Sequence, residues 1–126
     1  MPVVRIFEIE GVRYGAVENG DGTLTRNCGI MLTGLAKLCG AKRPHVFDVC
    51  EMIKKETGEE WKWKPRRSPV FVEANFSYKV IMHFHSVVKT NKATMTVRSM
   101  RTFDFLTYAD FVRSLITDHL DQHLDQ

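Results

Sequence analysis

At 126 residues, 44% of them hydrophobic and with a formal net charge of +3, the chain has the length of one domain and can bury a real core without metal or disulfide support. No run approaches the ~18 consecutive apolar residues of a membrane span, and charges interrupt VVRIFEIEGVRY where a signal peptide would be apolar, so a cytoplasmic, intracellular protein is expected. Cys28, Cys39 and Cys50 are odd in number and lack C-x2-C pairing, which argues against both a disulfide framework and a structural zinc site.

From Val3 to Val17 the pattern predicts two short strands around Glu10-Gly11. Val4, Ile6 and Glu8 share one face and Val3, Arg5, Phe7 and Ile9 the other, so the first strand is expected to be covered on both faces. Asn19-Gly20-Asp21-Gly22 is a turn signal without the glycine spacing of a phosphate-cradling loop. Thr23-Leu24-Thr25 is expected to add a brief strand before a loop at Asn27-Cys28-Gly29, where Cys28 is the one cysteine for which a reactive thiol is considered.

Leu32 to Ile53 holds two helical patterns. Leu35, Leu38 and Cys39 form one apolar stripe and Val46, Val49, Cys50 and Ile53 another, which makes Cys39 and Cys50 small buried hydrophobes. Gly40 suits the left-handed end of the first helix and Pro44 the first turn of the second, which is expected to run to about Thr57 with Gly58 as its stop. A twenty-residue window opened at Leu32 resembles the helix-turn-helix of phage repressors, with Ala36 fifth, Gly40 ninth and Leu35, Cys39, Val46 and Val49 at its apolar positions. The wording LTGLAKLCGAKRPHVFDV is also similar to the amino-terminal segments of phage antirepressor-type proteins, the KilA-N and Rha groups, which combine such helices with small strands.

That resemblance implies a small phage-type regulator of transcription that binds duplex DNA, with Lys42, Arg43 and His45 at the groove. Asp48 and Glu51 on the outward side of the second helix would repel phosphates, so only its amino-terminal end is expected to enter. The same stripes also fit a plain αα-hairpin packed in a core.

Charge is uneven along the chain: residues 37–67 carry nine basic and five acidic side chains, and 107–126 carry one and four. In EEWKWKPRRSP an extended strand would put Trp61 and Trp63 on one face and Lys62 and Lys64 on the other, with Arg66 and Arg67 continuing a basic edge toward phosphates. Inward tryptophans are core; outward ones become stacking platforms for single-stranded nucleic acid or anchors for a protein partner.

Val70 to Phe105 is rich in aromatic and β-branched residues and reads as three strands, with Lys89-Thr90-Asn91-Lys92 as a hairpin tip. Such a hairpin resembles the wing of a winged helix-turn-helix, placing Lys89 and Lys92 on phosphates and letting Arg98 and Arg101 continue the track. Lysines that merely guard the hairpin's edges fit equally. His83 and His85 would share one strand face, and His119 and His123 are four apart without the H-E-x-x-H glutamate; no third ligand follows from spacing, so no metal or other cofactor is expected. No nucleophile and base spacing points to an enzyme.

Thr107 to Leu124 is the clearest helix. Thr107 and Asp110 approximate a capping box, Phe111, Val112, Leu115, Ile116, Leu120 and Leu124 form its stripe, and a Leu120/Leu124 seam could serve a homodimer. Together these readings predict one α+β domain: helix-turn-helix at about 32–57, a winged-helix-like antiparallel sheet at about 70–105, and a carboxy-terminal amphipathic helix at about 107–124. The alternative in another class is a protein-binding module, such as a phage-encoded inhibitor of a host factor, acting through Trp61/Trp63 or the last helix.

Overall fold

The computed structural model describes residues 3–65, 70–102 and 107–124. Strands β1 (Val3–Ile9) and β2 (Val12–Glu18) pair antiparallel with Ile9 opposite Val12. Glu10 and Gly11 alone make the turn, at φ 52° and 78°, the geometry whose twist matches a two-residue hairpin. Phe7 is buried, but Val3 is 56% and Ile6 41% exposed. The expected covering of both faces is therefore not found, because β1 ends the sheet and the face carrying Ile6 stays open.

Strand β3 (Leu24–Met31) runs straight through the expected loop at Asn27-Cys28-Gly29. Its turn-like composition yields to packing. Gly29 is needed because a Cβ there would lie 2.6 Å from the Val72 carbonyl oxygen and 2.8 Å from the Trp63 ring. Two short strands, β4 (Lys62–Trp63) and β5 (Phe71–Glu73), complete a five-stranded antiparallel sheet of order β1-β2-β3-β5-β4.

β3 leads directly into helix α1 (Leu32–Cys39), and α2 (Arg43–Thr57) follows after a short turn. The stripes fall where the periodicity put them: Leu35, Cys39, Val46, Val49, Cys50 and Ile53 are all buried. Gly40, at φ 64°, and Gly58, at φ 76°, end the two helices in the left-handed region.

The region from Val70 to Phe105 is where sequence and structure part. Among its described residues only Phe71–Glu73 is a strand; helix α3 (Ala74–His83), a five-residue π-helical stretch (Phe84–Val88) and helix α4 (Asn91–Thr102) follow. There is no wing among the described residues, and Lys89-Thr90-Asn91-Lys92 joins two helices instead of two strands. Ala74, Phe76, Ser77, Val80, Ile81 and Phe84 are buried at helical spacing, as are Ala93, Val97 and Met100. Burial of these faces outweighs the strand propensity of their side chains. The caps were also disguised. Glu73 caps α3, its carboxylate accepting from the Asn75 and Phe76 amides at 3.0 and 2.9 Å, although glutamate is not among the preferred capping residues. Thr90 caps α4 through the Ala93 amide at 3.3 Å.

Helix α5 (Tyr108–Leu124) begins as expected: the Thr107 hydroxyl donates to Asp110 at 2.8 Å and accepts from the Asp110 amide at 3.2 Å. Tyr108, Ala109, Val112 and Ile116 are buried, and Tyr108 stacks between Tyr78 and Phe111 at 5.5 and 5.6 Å. Leu120 is partly buried against the core; the side chains of His123 and Leu124 lie outside the described residues. The helices cover the sheet face that carries Tyr14, Ala16, Cys28, Ile30 and Val72, and the opposite face holds Phe71, fully buried over Gly15 and Gly29 with Trp63 beside it. Among the described residues no helix is long and apolar enough to cross a membrane.

All three cysteines are free and buried, and burial pushes each thiol up to about 12. Cys28 is in a strand under α5, its thiol 3.7 Å from the Ala109 carbonyl, which removes the setting a reactive thiolate needs. Native protein at pH 8 should therefore resist Ellman's reagent at all three positions, with full reaction only after unfolding. Rapid labelling of Cys28 in the folded protein would contradict its placement.

Candidate nucleic-acid interface

The turn between α1 and α2 is built by residues from three parts of the chain. Gly40 and Ala41 donate their amides back to Lys37 and Ala36 at 3.2 and 3.1 Å, closing α1. The last carbonyls of a helix have no partner within it. Here Cys39 O accepts from the Thr90 hydroxyl and Leu38 O from the Thr96 hydroxyl at 3.0 Å, so α4 is pinned across the turn. Lys92 on α4 comes so close that a Cβ on Gly40 would lie 2.7 Å from the Lys92 Cβ.

α2 starts with Lys42 as its cap residue and Arg43 and Pro44 in its first turn, with no side-chain capping bond and no acid there. Its leading amides are thus unopposed by a carboxylate, and Lys42, Arg43 and His45 are all exposed. The His45 ring is edge-on to Phe84 at 4.9 Å, which ties it to the π-helical stretch and leaves Lys42 and Arg43 as the outermost cations of the helix start.

Lys42 and Arg43 stand at the start of α2 and Lys92 of α4 abuts Gly40 of the same turn, the last by way of a helix where a wing was expected. Lys89, at φ 64°, ends the π-helical stretch one residue before the Thr90 cap and is exposed. Lys62 is exposed on the short edge strand β4 and Lys64 just after it. The preceding Trp61 is 3% exposed, donates to Glu51 of α2 at 3.0 Å and meets Phe47 edge-on at 5.6 Å. The tryptophans do not share one face: Trp61 packs on α2, and Trp63 is half-buried against Phe71 at 5.4 Å. Arg66 and Arg67 lie outside the described residues, as does the side chain of Arg101; Arg98 is exposed on α4.

Two cations at this site were not picked out from the sequence. Lys37 projects from α1 opposite its apolar stripe, and its ammonium donates to the Gly11 carbonyl at 2.9 Å, tying the helix to the β1–β2 turn. Arg13 lies exposed on β2 beside it, 3.7 Å from Glu8. Their signals were available in principle: each occupies the polar phase of an amphipathic pattern, between Ala36 and Leu38 on a helix and between Val12 and Tyr14 on a strand.

His83 and His85, expected on one strand face, are on a helix and point apart, His83 against Phe84 and His85 to the Thr94 hydroxyl at 3.0 Å. Among the described residues no group of three His, Cys, Asp or Glu could hold a metal ion. Comparison with family models, with curated proteins and with solved structures returns no match for this chain.

Proposed function

We propose that the protein is a small nucleic-acid-binding regulator of phage type, acting in the cytoplasm, and that duplex DNA meets it at the α1–α2 turn. The observation that carries this reading is the clustering of exposed Lys42 and Arg43 at an acid-free helix start with Lys92 of α4 beside the same turn. Clustered cations release condensed counterions from a phosphate backbone, which a net charge of +3 spread evenly would do poorly. Lys89 supports the same surface, and Lys62 and Lys64 offer a second basic edge to a long duplex.

A protein-binding reading draws on a different side of the molecule. Phe47 and Met52 are 40% and 37% exposed on α2, with Asp48 and Glu51 between them, an apolar and acidic strip suited to a protein partner.

Fluorescence anisotropy with random duplex DNA, repeated across a salt series, separates the two. On the nucleic-acid reading affinity falls steeply with salt, Lys64→Ala lowers the slope by about one unit on every sequence, and Arg43→Ala costs ~1–3 kcal/mol more on a selected site if it reads a guanine. Absence of binding at low salt, or salt-insensitive binding, would remove the nucleic-acid reading in favour of the protein-binding one.

A further inference from the structure

We infer that the phosphodiester chain runs along a groove over α1, with one phosphate in each of two adjoining cavities, and that the outer strip of α2 is not the contact surface. This rests on the nucleic-acid reading and specifies it. One cavity, of about 250 Å3, lies between the β1–β2 hairpin and α1 and is lined by Arg13, Gly34, Thr33 and Lys37 among others. The other, of about 410 Å3, lies between α1 and the start of α2 and is lined by Thr33, Ala36, Lys37, Gly40, Lys42 and Arg43. Thr33 and Lys37 belong to both, so the two form one path.

The path is defined by its cations. Gly34 and Gly40 are small because the protein packs on them, a Cβ there meeting Val12 at 2.6 Å and Lys92 at 2.7 Å. Arg13 stands on one side, Lys42 and Arg43 on the other, and Lys37 on the partition. Because its ammonium already donates to Gly11 at 2.9 Å, Lys37 is held in place with two of its three donors left for a ligand, and less side-chain freedom is lost on binding. Among the lining residues Glu8 is the only acid, and it stands 3.7 Å from Arg13. The outer side of α2 is more mixed: Asp48 and Glu51 share its hollow with Lys54 and Lys55, so a phosphate there would meet carboxylates as well as cations. These phosphate contacts set the position of the chain and carry no base information themselves.

The test uses short labelled oligonucleotides of random sequence, single-stranded and duplex, with the full chain. Thr33→Trp fills the shared wall without changing charge; it should lower affinity about tenfold and leave the salt slope intact. Arg13→Ala should lower affinity and reduce the slope by about 0.7 to 0.9, the share of one phosphate. Asp48→Lys should change affinity less than about twofold, whereas a strip of α2 lying on the duplex would gain strongly from losing that carboxylate. Thermal melts establish that each variant folds. If Lys42→Ala/Arg43→Ala abolishes binding while Thr33→Trp and Arg13→Ala do nothing, or if Asp48→Lys tightens it sharply, the path over α1 is wrong and the nucleic-acid reading survives. If the unaltered protein binds neither oligonucleotide, that reading itself fails.

Discussion

Replacing Gly40 with valine should lower stability by about 3 kcal/mol, from two costs of similar size. A β-branched residue held at φ 64° is strained by ~1–3 kcal/mol. The added Cβ would also lie 2.7 Å from the Lys92 Cβ, and relieving that contact means shifting α4 against α1, an overpacking penalty of ~1–3 kcal/mol. Asparagine tolerates the left-handed conformation but keeps the Cβ, so Gly40→Asn should fall between the wild type and the valine variant. Urea denaturation reads both. An unchanged midpoint for Gly40→Val would sink the assignment of the turn and with it the placement of Lys42, Arg43 and Lys92 around one surface.

Trp61→Ala should cost roughly 3–5 kcal/mol, the range for removing a large buried aromatic and leaving a cavity. Three contacts go together: the wall against α2, the edge-on Phe47 ring, and the indole hydrogen bond to Glu51. Trp63, half-buried on the other face of the sheet, should cost less when truncated. With Trp63→Phe as background, emission of the free protein reports Trp61 alone; it should be blue-shifted and poorly quenched by iodide. Red-shifted, strongly quenched emission would mean an exposed indole, the state suited to a protein partner or unpaired bases.

The amino-terminal half of the fold was legible because its signals are local. Glu10-Gly11, Gly40, Pro44 and Gly58 act on their own backbone, and the stripes of α1 and α2 have one period each. The β1 faces misled because alternation in one strand cannot say which neighbours the sheet will supply. From Val70 to Thr102 the local signals point the wrong way, before the Thr107 cap makes α5 legible again: β-branched and aromatic side chains favour strand, while Glu73 and Thr90 supply caps that composition does not announce. The basic surface was half visible. Lys42 and Arg43 follow from the helix start, but Lys92 reaches Gly40 only because Thr90 and Thr96 dock on α1, and Lys37 and Arg13 need the hairpin turn to come beside α1.

Those two threonine hydroxyls also bear on when the turn becomes complete as the chain folds. The partners of Cys39 O and Leu38 O lie 51 and 58 residues further along, so the loop joining them must close before either bond can form, and its entropy is lost first. Contacts of such sequence separation slow folding. A nascent chain that has reached only the end of α2 can pair β1 with β2 and stack its two helices, yet the carbonyls at the end of α1 still face water. The turn would then mature late, when α4 arrives, and the two helices do not constitute a portable module: the surface they present depends on the second half of the chain.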